Sequence, residues 1–169
     1  GTASALQRTH RTADAIAKAG HPVGATLVEE DLAEQCFGDW QGMTYAEVAA
    51  DRAGEDHPFW IAPAHHAAPN GESFANVMTR VSDTVLRLSE QYLGRDIIAV
   101  AHGGTIRAAL GQALGITPDQ ALCFTVDNLS ITRSDCFHGA GGRMDWCVIG
   151  VNLPAGNSAP HGVVFPPRR

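Results

Sequence analysis

The most regular pattern along the chain lies in residues 72–93, where apolar side chains recur three and four positions apart. This spacing places them on one face of an α-helix. The apolar positions are Phe74, Val77, Met78, Val81, Val85, Leu88 and Tyr92. The turn signal Asn70-Gly71 precedes the segment and Gly94 follows it, so both limits of the predicted helix are marked.

Three other segments carry a helix-start signal, a hydroxyl residue followed three positions later by Glu or Gln. In this capping box the hydroxyl accepts from a backbone N–H, and the longer side chain bonds back to the start of the helix. The pairs are Ser4 with Gln7, Thr44 with Glu47, and Thr117 with Gln120. They predict helices near 4–19, 44–52 and 117–122. A further apolar series predicts a helix over 104–114, ended by Gly115.

Strands are predicted where apolar runs are short. Residues 96–101, DIIAVA, are typical of a buried strand. Residues 129–137 and 144–152 are predicted to form two strands joined by a turn at HGAGGR, while 54–71 and 153–169 are Pro- and Gly-rich loops. A helix, a strand and a helix in succession are typical of an α/β sheet with helices on its faces.

Length and composition favour one globular domain over residues 1–169. Hydrophobic residues make up 44% and charged residues 18% of the chain, which suits an ordinary core. The net charge of -6 argues against nucleic acid or an acidic membrane as the main partner. The N-terminus lacks the apolar core of a signal peptide, so a cytoplasmic location is expected. The four cysteines form no C-x-x-C pair, which argues against a zinc or redox site.

The stretch IIAVAHGGTIR places His102, Gly103 and Gly104 between the predicted strand and a predicted helix. Ligands of open parallel sheets bind at the carboxyl ends of strands, and a helix N-terminus favours an anion such as phosphate. His102 adds a charged hydrogen bond when it is protonated. A plain tight turn beside a core strand explains the same stretch, so both interpretations stay open here.

Two further side chains are candidates for the same chemistry. Arg8, in the first predicted helix, carries a guanidinium that suits bidentate binding of phosphate. Glu34 precedes the loop CFGDWQG, where a partly buried carboxylic acid is able to protonate a leaving group. Taken singly, each is better explained as a charge that faces solvent.

Taken together and in order, these motifs resemble the histidine phosphatase superfamily, the phosphoglycerate mutase-like proteins. The matching stretches are SALQRTHRTA (4–13), LAEQCFGDWQG (32–42), NGES (70–73) and VAHGGTIR (100–107), with DNLSIT and WCVIGVN fitting the late strands. The resemblance covers about residues 3–152. It implies a three-layer α/β/α sandwich with a mostly parallel central sheet.

The resemblance also implies roles for individual residues. Arg8 would bind phosphate, Glu34 would donate a proton to the leaving oxygen, and His102 with Gly103 would hold the transferring phosphoryl group. Arg107 and Asn128 match motif positions and are equally compatible with structural roles. Phosphoryl transfer mainly needs positioning and positive charge around the phosphoryl oxygens. The implied reaction needs no metal or other cofactor.

One departure concerns the nucleophile. Members of the family begin with a strand ending in Arg-His-Gly, whose histidine becomes phosphorylated, and this sequence contains no Arg-His-Gly. We therefore expect the chain to lack the nucleophile, one phosphate-binding arginine and a central strand. Three explanations stay open: a fragment of a longer protein, a shortened inactive relative, and a split protein completed by another chain. The first is preferred, because a missing central strand leaves unpaired edges that favour aggregation.

The spacing of the motifs favours a phosphatase. Mutases of the family carry a long insert between the acid motif and the GES motif, whereas Glu34 and Gly71 are 37 positions apart here. The expected function is hydrolysis of phosphomonoesters through a phosphohistidine. The alternatives are a mutase-type phosphotransferase and an inactive relative that binds a phosphate ligand.

The expected partner is a small phosphorylated substrate, and pairing with a second copy of the chain is left open. Part of a lid over this substrate is predicted in residues 57–73. Candidate contacts with the leaving group there are Phe59, Trp60, His65 and His66. A metal site at the two adjacent histidines is not favoured, since neighbouring residues rarely ligate one ion.

Overall fold

A computed structural model describes residues 1–20, 26–52, 57–58 and 60–155. Its parallel sheet consists of three short strands, β1 (Thr2–Ala3), β2 (Leu27–Val28) and β3 (Ala99–Val100), in the order β2-β1-β3. Thr2 lies opposite Leu27 on one side and Ala99 on the other. The segment just before the first predicted helix therefore forms the middle strand of the described sheet.

The predicted helices are present with small shifts at their ends. They are α1 (Gln7–Lys18), α2 (Tyr45–Asp51), α3 (Phe74–Gln91), α4 (Gly103–Leu114) and α5 (Pro118–Ala121). The capping boxes at Thr44 and Thr117 are confirmed, with both hydrogen bonds of each box formed. Gly115 ends α4 with a φ of 64°, a conformation that favours glycine.

The predicted start of the first helix at Ser4 is wrong. α1 begins at Gln7, and the residue before it, Leu6, is extended and makes no side-chain cap. Ser4 directly follows β1 and is 0% exposed. Its hydroxyl lies 2.7 Å from the Nε2 atom of His102. The Ser4 hydroxyl, which the local pattern assigns to a helix cap, therefore bonds to His102, 98 positions away in the sequence.

The strand predicted over 96–101 is shorter and more exposed than expected. Only Ala99–Val100 are paired, and Ile97, Ile98 and Ala99 are exposed. The reason is that β3 pairs with β1 alone among the described strands, so its other edge is uncovered in the described part of the chain.

The two late strands are confirmed as an antiparallel hairpin. They are β4 (Ser130–His138) and β5 (Met144–Pro154), with Cys136 opposite Trp146. A short 3-10 turn at Ala140–Gly142 joins them. β5 includes the first two residues of the loop predicted to begin at 153, and 156–169 lie outside the described residues.

The main core forms where α3 packs against α4. Its buried members are Leu32, Ala64, Phe74, Val77, Val81, Ala108, Ala121 and Leu122. Gly111 permits the close approach of the two helices, because a Cβ at this position would lie 2.7 Å from the Cε atom of Met78. The α/β fold with a parallel sheet is thus confirmed. Within the described segments, no helix has both the length and the apolar character needed to cross a membrane.

Candidate active site

His102 links the parallel sheet to α4. It follows β3 and is the residue that precedes the first turn of α4, with an extended backbone. Its ring is buried, with 7% of the residue exposed. The Nε2 atom lies 2.7 Å from Ser4 Oγ, and the Nδ1 atom lies 3.0 Å from Nη2 and 3.3 Å from Nε of Arg8. The end of β1, the first turn of α1 and the start of α4 therefore meet at one imidazole.

These partners determine which nitrogen of His102 carries a proton. A guanidinium only donates hydrogen bonds, so Nδ1 must accept from Arg8. The proton of the neutral ring then resides on Nε2 and is donated to Ser4. Burial lowers the pKa of His102, and the positive charge of Arg8 lowers it further, while Glu34 acts in the opposite direction. The imidazole is therefore neutral at pH 7 in this arrangement.

The Glu34 side chain reaches the N-terminus of α4, the helix that follows His102. Its Oε2 accepts from the backbone N–H of Gly104 at 3.3 Å, and its Oε1 accepts from the N–H of Gln35 at 3.0 Å. These two bonds hold the Glu34 side chain against the free N–H groups at the start of α4. Gly104 is required for this approach, because a Cβ at position 104 would collide with Oε1 of Glu34.

A partly buried ion pair holds the Glu34 loop in place. Arg80 on α3 binds both carboxylate oxygens of Glu72, through Nε at 3.0 Å and Nη2 at 2.8 Å. The same guanidinium donates to the carbonyls of Asp31 and Ala33, just before Glu34. Burial alone would raise the pKa of Glu72, but the hydrogen bonds from Arg80 and from the Cys36 N–H outweigh it and lower the pKa.

Thr105 ties the loop to α4 from the other side. Its hydroxyl lies 3.0 Å from the carbonyl oxygen of Ala33 and 3.2 Å from that of Leu32. Thr105 is buried and directly follows Gly104, which contacts the Glu34 carboxylate. The acid loop and the start of α4 are thus fixed relative to each other.

Arg107 makes structural contacts one turn further along α4. Its Nε donates to the carbonyl of Phe124 at 2.6 Å, and its guanidinium lies 4.7 Å from the centroid of the Trp60 ring. Burial lowers the pKa of Arg107 from the usual arginine value. Asn128, the other motif position left open, is exposed.

The residues predicted to form part of a lid, 57–73, differ in what they contact. Trp60 packs edge-on against Phe74 of the main core, and His66 stacks on Trp40 with ring centroids 5.7 Å apart. His65 is exposed, and Phe59 lies outside the described residues. No group of three or more His, Cys, Asp or Glu side chains in the described ranges is arranged to hold a metal ion.

The arrangement brings together the chemical groups that phosphoryl transfer uses. Arg8 supplies a fixed positive charge, His102 a titratable nitrogen, and α4 its N-terminal dipole, with the Glu34 carboxylic group beside them. Together they are able to bind a phosphate dianion and to supply a proton next to it.

Comparison with known proteins identifies the family. Residues 2–147 match the family model of the histidine phosphatase superfamily, branch 1. The chain belongs to this superfamily. It is 38% identical over 111 residues to a bifunctional protein of Mycobacterium tuberculosis, covering 66% of this chain and 30% of that protein. It is 38% identical over 113 residues to the glucosyl-3-phosphoglycerate phosphatase of the same species, covering 62% of this chain and 50% of that enzyme.

Two other matches within the histidine phosphatase superfamily show its range. A phosphoglycerate mutase of Schizosaccharomyces pombe is 31% identical over 120 residues, covering 69% of this chain and 57% of that enzyme. A mycobacterial glucosyl-3-phosphoglycerate phosphatase solved in complex with VO3 superposes with a TM-score of 0.74 at 27% identity, covering 90% of this chain and 74% of that chain. The chain thus spans between about a third and just over half of the curated relatives it matches.

The sequence patterns do not indicate the roles of Ser4, Glu72 and Arg80 in the site. The local pattern predicts a helix cap at Ser4, and only its position right after the two-residue strand β1 distinguishes it. Glu72 lies in the NGES stretch that supported the family resemblance, yet no role was predicted for it. Its partner, Arg80, is two turns further along α3, on a helix face that the apolar pattern left unassigned. The GES motif was therefore a signal for a loop-supporting carboxylate.

Proposed function

We propose that this chain is part of a phosphomonoester hydrolase that works through a phosphohistidine intermediate. The observation that carries the proposal is the meeting of Arg8, Glu34 and His102 at the start of α4. A single phosphate dianion placed there would face a guanidinium, an imidazole and a helix N-terminus. The nucleophilic histidine is proposed to come from outside these 169 residues, since the sequence has no Arg-His-Gly.

In the proposed mechanism, charge stabilisation and proton transfer fall to different groups. Arg8 leaves Nδ1 of His102 and binds two phosphoryl oxygens, while His102 takes up a proton at Nδ1 and donates it in a hydrogen bond to the same phosphoryl group. Glu34, in its protonated form, gives its proton to the leaving oxygen as the P–O bond breaks and a bond forms between phosphorus and a nitrogen of the nucleophilic histidine. Water then attacks phosphorus, breaks this P–N bond and releases inorganic phosphate. The Glu72–Arg80 pair keeps the Glu34 loop at the position where this transfer occurs.

Hydrolysis is favoured over the mutase reaction by the compact segment between Glu34 and Gly71, which is shorter than the insert that the family resemblance implies for a mutase. Small phosphorylated metabolites are the proposed substrate class, in keeping with the phosphoglycerate derivative named for the mycobacterial relatives. The second candidate function is binding of a phosphate ligand without turnover, and the observation in its favour is the absence of Arg-His-Gly from the sequence.

The role of Glu34 can be tested with two leaving groups in the complete gene product that carries this chain. We expect Glu34→Gln to lower kcat/KM for glycerol phosphate by roughly 100-fold or more, because an alkoxide leaves poorly without a proton. The kcat/KM for p-nitrophenyl phosphate should fall far less, since p-nitrophenolate leaves without protonation. Glu30→Gln, an exposed neighbour, is the control and should change neither rate. Equal losses for the two substrates would contradict the proton-donor role, and no phosphate release by the wild type would favour the non-catalytic candidate.

A further inference from the structure

An aromatic cavity lies beside the Glu34 loop. Its volume is about 280 Å³, and none of the described residues that line it carries a charge. Since one water in the liquid occupies about 30 Å³, the cavity has room for a ring system and not only for a few waters. Aromatic rings dominate its wall: Phe37, Trp40, Tyr45 and Trp60, with Met43 and Ile61 as aliphatic members.

The cavity is connected to the phosphate-binding cluster through Arg107 and through the Glu34 loop. Trp60 forms part of its wall and carries the Arg107 guanidinium on its face, 4.7 Å from the ring centroid. Arg107 also lies against the start of α4, since a Cβ at Gly103 would lie 3.2 Å from its Nη1 atom. Phe37 follows Glu34 by three positions. The cavity is therefore on the Glu34 side, where the alcohol portion of a bound phosphomonoester must lie if Glu34 protonates it.

The wall of the cavity combines a fixed floor with an exposed rim. Trp40 is 4% exposed, donates from Nε1 to Asp51 Oδ2 at 2.9 Å, and stacks on His66. Tyr45 is 78% exposed, and Met43 is also exposed. A preformed aromatic floor costs little ordering on binding, and large exposed apolar side chains beside a cavity are typical of binding surfaces.

We propose that the cavity binds the leaving group of aryl phosphomonoesters, as an uncharged flat ring system that stacks on its aromatic wall. The inference rests on the proposed phosphatase function and narrows its substrate class. Aromatic faces attract flat rings, whereas a carboxylate on the leaving group would lose water of hydration in a cavity whose described lining residues carry no charge.

The proposal can be tested by binding of phosphonates, which are not hydrolysed. Calorimetry on the complete gene product would compare methylphosphonate, phosphonoacetate and 2-naphthylmethylphosphonate. We expect the naphthyl ligand to bind at least about tenfold more tightly than methylphosphonate, since its ring is removed from water, and phosphonoacetate to bind no more tightly than methylphosphonate. Tyr45→Ala and Met43→Ala should each reduce the gain in affinity that the naphthyl ring provides. Neither should change the affinity for methylphosphonate. Phe137→Ala, an exposed aromatic on β4, is the matched control and should keep the full gain.

The outcomes separate this inference from the proposed function. Equal affinity for methylphosphonate and the naphthyl ligand, or tighter binding of phosphonoacetate than of the naphthyl ligand, would overturn the cavity's role and leave the phosphate site intact. A gain that survives both Tyr45→Ala and Met43→Ala would place the ring elsewhere and also overturn it. Failure of methylphosphonate itself to bind would contradict the phosphate site, and the inference would fall with it.

Discussion

At the scale of single residues, the protonation of His102 is the feature on which the proposed chemistry depends. In the structure its Nδ1 accepts from Arg8 and its Nε2–H is donated to Ser4. A phosphate dianion would change this pattern, because it attracts the Arg8 guanidinium and favours a proton on Nδ1. Ligand binding and proton uptake at His102 are therefore expected to be coupled.

This coupling gives a prediction for the titration of His102. In the free protein, burial and Arg8 hold the pKa of His102 below the usual value of about 6.5, and we expect inorganic phosphate to raise it. The unfolded chain takes up this proton near pH 6.5 and the folded chain only at lower pH, so acidification through that interval should destabilise the free protein. NMR titration of the His102 ring measures this pKa without and with phosphate. Comparison with His102→Gln assigns the signal. A pKa that is unchanged by saturating phosphate would contradict the coupling.

At the scale of secondary-structure elements, the local sequence predicted some features well and others poorly. α2 and α5 carry complete capping boxes, so a few neighbouring residues determine where they begin. β1 and β2 each have two residues, too few for any periodicity, and were not predicted. The contact between Ser4 and His102 depends on strand pairing between distant segments, and a local pattern therefore gives no sign of it.

The junction between the Glu34 loop and α4 provides a prediction at this scale. Alanine normally stabilises a helix relative to glycine by about 1 kcal/mol, but Gly104→Ala should destabilise the chain, because the added methyl group collides with the Glu34 carboxylate. In a double-mutant cycle, Glu34→Ala should relieve much of this cost. Urea unfolding of the wild type, both single variants and the double variant measures the coupling. Strictly additive effects would contradict the contact.

At the scale of the whole molecule, the order of the motifs predicted the family and the α/β fold, and both are established. The candidate residues Arg8, Glu34 and His102 come from three separate segments, and the fold brings them to the start of one helix. The sheet order with β1 in the middle was not predictable, because it depends on pairing between two-residue strands that lie far apart in the sequence.

The most direct test of the central claim is phosphate release from p-nitrophenyl phosphate by the complete gene product and its His102→Ala variant. We expect kcat/KM to fall by roughly 100-fold or more, since a group that stabilises the transferring phosphoryl would be lost. His138→Ala, an exposed histidine on β4, should retain wild-type activity, and matching circular dichroism spectra would show that both variants fold. Equal activity of His102→Ala and the wild type would contradict the proposed phosphate site.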